Sequence, residues 1–408
     1  MVSVRVHPAL FDSLTLQPTI PSSSSILING AGVFGLTAAI ELRRRGWGVT
    51  VIDPGPIPRP EAASTDISKV VRADYGSDAG YTELGLKALD GWREWNQQWN
   101  ETVYREDGFL VLTRDEPQRG SFEYDSHKTL TALGQSLGTI EPGWEQRFPS
   151  WKSNLYSHGY LNPRGGWAAS GRAVELLARD ARAAGVDIRE HQTFGRFVER
   201  AAKVIGLRTE SGETIHADFT LMATGAWTAT LLPELRDVLW ATGQPVVHFK
   251  VENPDDFRPP KFSVWAADIG TTGWYGFPSL ADGTLKIANH GPGRPIHPDD
   301  PRTILPEEEE RFRQFAATTF PALKNAPIVE RRLCLYGDSF DGNFWIDHHP
   351  DRPGLVIATG DSGHAFKFAP VLGKVIADIV ERKPHSLSER FAWRDPSQVS
   401  AESARFKE

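Results

Sequence analysis

What the chain has little of narrows the field first. It carries a single cysteine, Cys334, which excludes an intramolecular disulfide and a cysteine-based zinc site. Positive charge is not in excess: 45 Lys and Arg stand against 52 Asp and Glu, a net charge of −7. There is therefore no basic footprint for nucleic acid or for an anionic membrane surface. No apolar run approaches the length of a membrane span. Residues 1–24 lack the basic start and apolar core of a signal peptide and read as a Ser/Pro-rich leader, while residues 396–408 read as a charged, solvated tail. The 12 histidines are scattered without ligand spacing, so no metal is expected. These readings describe a cytoplasmic protein whose partners are small molecules. With 408 residues, 40% hydrophobic and 24% charged, the chain holds core enough for two or three domains.

The most specific stretch is SILINGAGVFGLTAAIELRRRGWGVTVIDP, residues 25–54, which reads as a nucleotide-binding βαβ unit. Ile26 to Ile28 suit a buried parallel strand. Gly30, Gly32 and Gly35 then fit G-x-G-x-x-G where a strand turns into a helix. Gly30 permits the tight turn, Gly32 lets backbone approach a pyrophosphate, and Gly35 lets helix and strand pack closely. The helix N-terminus, at Val33 and Phe34, offers backbone N–H groups to phosphates. A second strand, 49–52, ends in Asp53, the acid expected to hold a ribose 2′-hydroxyl. The motif leaves NAD and FAD equally open.

Further along, helix periodicity predicts helices over 81–99, 170–184, 307–318 and 371–380. The tryptophans of the first, Trp92 and Trp95, read as core. A hairpin is expected over 104–113 and another around Ser211 and Gly212. The apolar strand 217–223, closed by Thr224 and Gly225, reads as a further strand of the nucleotide sheet. Strands over 245–251, 262–267, 272–277 and 283–288 predict a second, mostly antiparallel sheet. Between Leu285 and Ile287, Lys286 lies on the face opposite theirs, and periodicity does not say which face is buried.

Five stretches then carry a resemblance. SKVVRADYG, YGFPSLADGTLKIANH, RLCLYGDSFDGNFWIDHHP and GDSGHAFKFAPVLGKVIADI, together with the nucleotide unit, resemble the monomeric sarcosine oxidase and amadoriase branch of the FAD-dependent amine oxidases, across 25–383. The resemblance implies an α/β nucleotide-binding (Rossmann-like, GxGxxG) FAD domain built from 25–91, 160–240 and 334–395. It implies an α+β substrate domain with a large, mostly antiparallel sheet from 92–159 and 241–333. It also implies FAD joined covalently to Cys334, a thiolate that Arg331 or Arg332 would favour if either points inward. The cofactor contacts it implies are Gly30, Gly32, Val33, Phe34, Gly35, Asp53, Ser68, Lys69, Gly225, Gly363, His364, Phe366 and Lys367. Lys286 matches the family lysine that promotes reaction with oxygen, where a fixed ammonium stabilises charge developing during that step. Tyr275, His290 and His364 match pocket positions near the flavin and the substrate amine. Arg72 and Lys367 match a pair that binds the substrate carboxylate, assisted by Lys69.

Two departures refine the resemblance. Sarcosine oxidases usually carry arginine where Lys69 stands, and amadoriases generally lack the arginine equivalent to Arg72. The mixture resembles oxidases of saccharopine, pipecolate or other N-substituted amino acids. The implied activity is an FAD-dependent oxidase of a secondary amine bearing a carboxylate. Hydride transfer to flavin N5 gives an imine, and oxygen leaves as hydrogen peroxide. The protein is expected to be a monomer. The alternatives are a fructosyl amino acid oxidase and a flavin dehydrogenase using another acceptor.

Overall fold

The structure, a computed structural model, describes residues 24–396, 399–401, 404 and 405; the leader expected over 1–24 lies outside them except for its last residue. At its centre the strand β1 (Ser25–Asn29), the helix α1 (Val33–Arg44) and the strand β2 (Gly48–Ile52) follow one another as the hydrophobic pattern dictates. β1 is the middle of a six-stranded sheet in the order Trp345–His348, Leu355–Thr359, Phe219–Met222, β1, β2, Asp187–Arg189. All pairings are parallel except the first, which is antiparallel. α1 packs on this sheet between the helices Ser170–Ala183 and Ala369–Val380, joining Leu36, Ile40, Val174, Leu177, Leu372 and Ile376 in one core.

Two glycines shape the β1–α1 turn. Gly30 has φ +110°, and a Cβ there would collide with the Ala223 carbonyl. Gly35 stands where a Cβ would collide with the Gly30 carbonyl oxygen. The strand end, the helix start and the strand Phe219–Met222 thus touch backbone to backbone.

A larger sheet carries the strands Phe109–Thr113, Gly138–Thr139, His158–Asn162, Leu239–Lys250, Val264–Ala267, Trp274–Gly276, Thr284–Asn289, Arg294–Pro295 and Ile328–Ser339. Its pairings are antiparallel save that Phe109–Thr113 runs parallel to Val264–Ala267. One face buries Val247, Phe249, Leu285 and Ile287 under the helix Pro306–Thr319, against Phe312 and Phe315. Two small antiparallel sheets complete the fold.

Three expectations change. No hairpin forms over 104–113: Tyr104–Arg105 pairs with Gly166–Ala168, and Phe109–Thr113 joins the large sheet. The partners are distant in sequence, which local alternation does not reveal. The boundaries drawn at 160 and 334 fall inside the strands His158–Asn162 and Ile328–Ser339. The tail is not solvated throughout. Ala404 is buried among Phe109, Phe122, Ile269 and Phe277, and Arg405 donates to both carboxylate oxygens of Asp338 at 2.7 and 2.8 Å. A helix at Phe122–Ala132, begun by the Ser121 cap on the Tyr124 N–H, has no clear apolar stripe in sequence.

Replacing Gly35 by alanine forces a methyl group into the Gly30 carbonyl, and overpacking of this kind costs about 1–3 kcal/mol or more. Urea titration should show that loss for Gly35→Ala, with an unchanged midpoint counting against the close approach.

Candidate active site

Two cavities meet beside the β1–α1 turn. The first, of ≈ 320 Å³, runs from Gly30, Gly32, Val33, Phe34 and Asp53 past Gly225 and Trp227 to Cys334, Asp361 and Phe366. The second, of ≈ 80 Å³, lies under the large sheet and is lined by Asp66, Arg72, Tyr275, Lys286, His290, His364 and Lys367, among others. Lys69, Cys334, Tyr336, Gly363 and Phe366 line both. All but two of the cofactor, substrate and catalytic positions that the resemblance implied therefore border one continuous space. Gly35 serves the turn beneath it, and Ser68 reaches the site through its carbonyl, which accepts from Lys286 Nζ at 2.7 Å.

The first cavity sets the N-terminus of α1 beside a buried carboxylate, which suits a phosphate next to a ribose. Gly32 sits at the N-cap of α1 with no side chain to occupy the helix end. Asp53, at the end of β2, is buried and accepts from the Ala31 and Gly55 N–H groups at 2.9 and 3.1 Å. Burial raises its carboxyl above the ordinary value, and those two donors oppose the rise. Gly225 (φ +52°) has open space where a Cβ would stand. Ser68 Oγ is buried and has no hydrogen-bond partner among the described residues.

Cys334 projects from Ile328–Ser339 into the junction of the cavities, packed with Val246, Ala288 and Tyr275. Of its two neighbouring arginines, Arg331 turns outward to Glu309. Arg332 turns inward, donating to the Pro60 and Thr65 carbonyls at 2.8 and 2.6 Å. Burial works against the Arg332 charge, but Cys334 and Asp66 more than restore it. Arg302 also lies within electrostatic reach of the sulfur.

Strand pairing settles the side of Lys286. Leu285 and Ile287 enter the core, so Lys286 faces the second cavity, where Nζ lies 2.5 Å from Asp66 Oδ2. Burial alone would raise the Asp66 carboxyl, yet Lys286, with Lys69 and Arg332, holds it well below the usual carboxylate range. Burial draws the Lys286 ammonium below its ordinary value against the pull of Asp66. The pair stands as an ion pair, with two acceptors on the ammonium.

Across the cavity, Lys367 Nζ donates to Tyr75 Oη and to the His364 carbonyl, both at 3.0 Å. Arg72 lies over the same Tyr75 ring, 4.9 Å from its centroid. The two cations thus converge on one tyrosine. His364 has both nitrogens engaged, Nδ1 with Tyr75 Oη at 3.0 Å and Nε2 with the Gly342 carbonyl at 2.9 Å, so the ring orients Tyr75. His290 Nδ1 meets Tyr336 Oη at 3.3 Å, and Tyr336 in turn meets Tyr275. Asp66, Tyr75, Tyr336 and Asp361 went unread in the sequence. Asp361, Tyr336 and Tyr75 lie inside the resembling stretches, and Asp66 stands two residues before SKVVRADYG.

The class is plain from comparison with known proteins. A family model described as FAD dependent oxidoreductase matches residues 25–379, and the chain belongs to that family. Among its relatives is L-saccharopine oxidase of Schizosaccharomyces pombe, 29% identical over 417 residues, covering 93% of this chain and 95% of the relative. Monomeric sarcosine oxidase of Bacillus sp. (strain B-0618) is 26% identical, covering 87% and 91%. Among solved structures, fructosamine oxidase (Amadoriase II) of Aspergillus fumigatus superposes with a TM-score of 0.79 at 25% identity, covering 95% of this chain and 94% of that one. Among the described residues no helix is long and apolar enough to cross a membrane.

Asp361 makes the site pH-sensitive. Burial lifts its carboxyl to about 6 from 3.8, against hydrogen bonds from the Gly363 and Gly337 N–H groups. A raised acid keeps its proton in the folded state while the unfolded chain has lost it. Stability therefore falls as pH rises from about 4 to about 6, by about 3 kcal/mol in all. Melting temperatures should show that fall in the wild type relative to Asp361→Asn, and parallel curves would refute the assignment.

Proposed function

We propose that the protein is an FAD-dependent oxidase of a secondary amine carrying a carboxylate, an N-substituted amino acid of the sarcosine, pipecolate or saccharopine kind. The observation that carries this reading is the charge of the second cavity: Lys69, Arg72, Lys286 and Lys367 face a single lining carboxylate, Asp66, and that carboxylate is already taken by Lys286. A buried space into which four cationic side chains converge suits an anionic substrate. The names of the relatives, saccharopine and sarcosine oxidase, agree with that chemistry.

In this reading Gly30, Gly32, Val33, Phe34, Asp53, Ser68 and Gly225 hold the dinucleotide, in the parallel-sheet part of the chain, and Cys334 tethers it by a thioether. Bound FAD supplies the acceptor for two electrons from the C–H bond next to nitrogen and passes them to dioxygen, which leaves as hydrogen peroxide. The protein's part is positioning. Arg72 and Lys367, which both meet Tyr75, clamp the carboxylate. Tyr275, Tyr336 and His290 form a hydroxyl and imidazole chain along the cavity wall, and His364 fixes the Tyr75 hydroxyl. Lys286 places a fixed positive charge where reduced oxygen gains negative charge. Like its bacterial relative named monomeric, the protein works as a single chain. A second reading, oxidation of fructosyl amino acids, draws on Lys69, the residue amadoriases carry at this place.

Three measurements test this. Flavin should stay with the acid-precipitated wild-type protein and leave Cys334→Ala; flavin wholly in the supernatant of the wild type would remove the tether while leaving FAD binding intact. Arg72→Ala should raise KM for a carboxylated amine by an amount worth about 2–5 kcal/mol and leave the decarboxylated analogue little changed. Equal losses on both would assign the residue to the fold. Stopped-flow traces of Lys286→Met should show reoxidation by dioxygen slowed about 10²–10³-fold with anaerobic reduction changed far less; the reverse pattern would make Lys286 a substrate contact.

A further inference from the structure

Lys286 does not stand alone on its sheet. The strands Thr284–Asn289, Leu239–Lys250 and Ile328–Ser339 pair side by side, and their register sets Lys286 opposite His248 and His248 opposite Glu330. Alternation sends Val247, Phe249, Leu285 and Ile287 into the core on the other face, which leaves the three polar side chains in one row. The row leads from the second cavity to solvent. Lys286 lines the cavity, His248 is 2% exposed, and the Glu330 side chain is 52% exposed.

The atoms in the row are placed for proton exchange. Glu330 Oε2 lies 3.0 Å from His248 Nδ1. His248 Nε2 is buried, has no hydrogen-bond partner among the described residues, and points to Asp66 Oδ1 at 3.9 Å. The other oxygen of Asp66 holds Lys286. Burial lowers the basicity of the ring; Asp66 and Glu330 favour its protonation, and Lys286 and Arg332 oppose it. Those four are the charged groups facing it, since the helix Pro306–Thr319 packs on the opposite side of the strand. A buried imidazole between two carboxylates, with one nitrogen unserved, has no evident structural purpose.

We infer that Glu330, His248 and Asp66 form a proton path from water to Lys286. The inference rests on the oxidase reading above. Dioxygen becomes hydrogen peroxide by taking up two electrons and two protons. Both electrons and one proton come with the reduced cofactor, so one proton has to reach the buried cavity from water. Lys286 gives that proton to the reduced oxygen and is reprotonated through Asp66. The protonated ring of His248 releases its Nε2 proton to Asp66, turns so that the bare nitrogen faces Glu330, and regains a proton from solvent by way of that carboxylate. A small rotation of the ring closes the 3.9 Å gap. His248 acts through Asp66 and Lys286 and is a positioning and relay residue.

The test uses the flavin-loaded enzyme labelled with ¹³C at the histidine ring carbons, with the His248 resonance identified by its absence in His248→Gln. Glu330→Gln lies at the surface and keeps the side-chain shape. It should lower the pKa read from the His248 resonance by about one unit, since an opposite charge in contact is lost. The pH at which reoxidation by dioxygen slows should move down by the same amount. His248→Gln should slow reoxidation about tenfold or more and abolish that pH dependence. A His248 resonance whose titration does not move in Glu330→Gln, or a reoxidation profile that does not follow it, overturns the path. If His248→Gln fails to fold, the two Glu330→Gln measurements decide alone. Lys286→Met separates the failures: full-speed reoxidation there rejects the oxygen role of Lys286 itself, whereas slow reoxidation with an unmoved Glu330→Gln profile rejects only the relay.

Discussion

The contact on which the site depends is the buried ion pair of Asp66 and Lys286. Desolvating both charges is costly, and removing either partner would strand the other at a cost of about 3–5 kcal/mol. Asp66 also holds the start of the helix Ser170–Ala183, whose Ser170 hydroxyl and Gly171 N–H donate to its carbonyl at 2.8 and 2.9 Å. One residue thus ties a helix packed beside α1 to a strand of the large sheet. The two cavities stay in register because this residue belongs to both neighbourhoods.

Charge is divided along the second cavity. At one end the Lys286 ammonium is balanced by Asp66. At the other, Arg72 lies over the Tyr75 ring and Lys367 donates to the Tyr75 hydroxyl and the His364 carbonyl. In the proposed reaction that second end, where two cations meet one tyrosine, is the place assigned to the substrate carboxylate. Tyr275 and Tyr336, whose hydroxyls burial keeps protonated, contribute polarity without adding charge between the two ends.

Much of this was legible in the sequence where a local pattern carries the constraint. The β1–α1 turn is written in three glycines and an acid, and the helices Ala79–Trp99 and Ala369–Val380 in their apolar spacing. Cys334, Lys286 and the cations at 69, 72 and 367 were marked by the resemblance, and the structure gathers them at one junction. What was not legible depends on pairing between distant strands. The inward side of Lys286 follows from its register with Leu239–Lys250, and His248 reads as one more core residue until Glu330 and Asp66 arrive on either side. Arg331 and Arg332 are adjacent and chemically alike; only strand alternation sends one to solvent and the other to the thiol. The segment Phe109–Thr113 has the alternation of a hairpin arm but pairs with a strand far along the chain, and nothing local announces that choice.

The strand order has a consequence for how the protein is made. β1 is made long before its neighbour Phe219–Met222, and Leu355–Thr359, beyond that neighbour, follows later still. β1 therefore pairs early with β2 on one side only and waits with its other edge open while residues 53–218 are made, and long-range parallel pairing of this kind is slow and aggregation-prone. Cys334 and Phe366, which also line the first cavity, come far later in the chain than its glycines. The first cavity therefore closes only once residues as far apart as Gly30 and Phe366 have both been made.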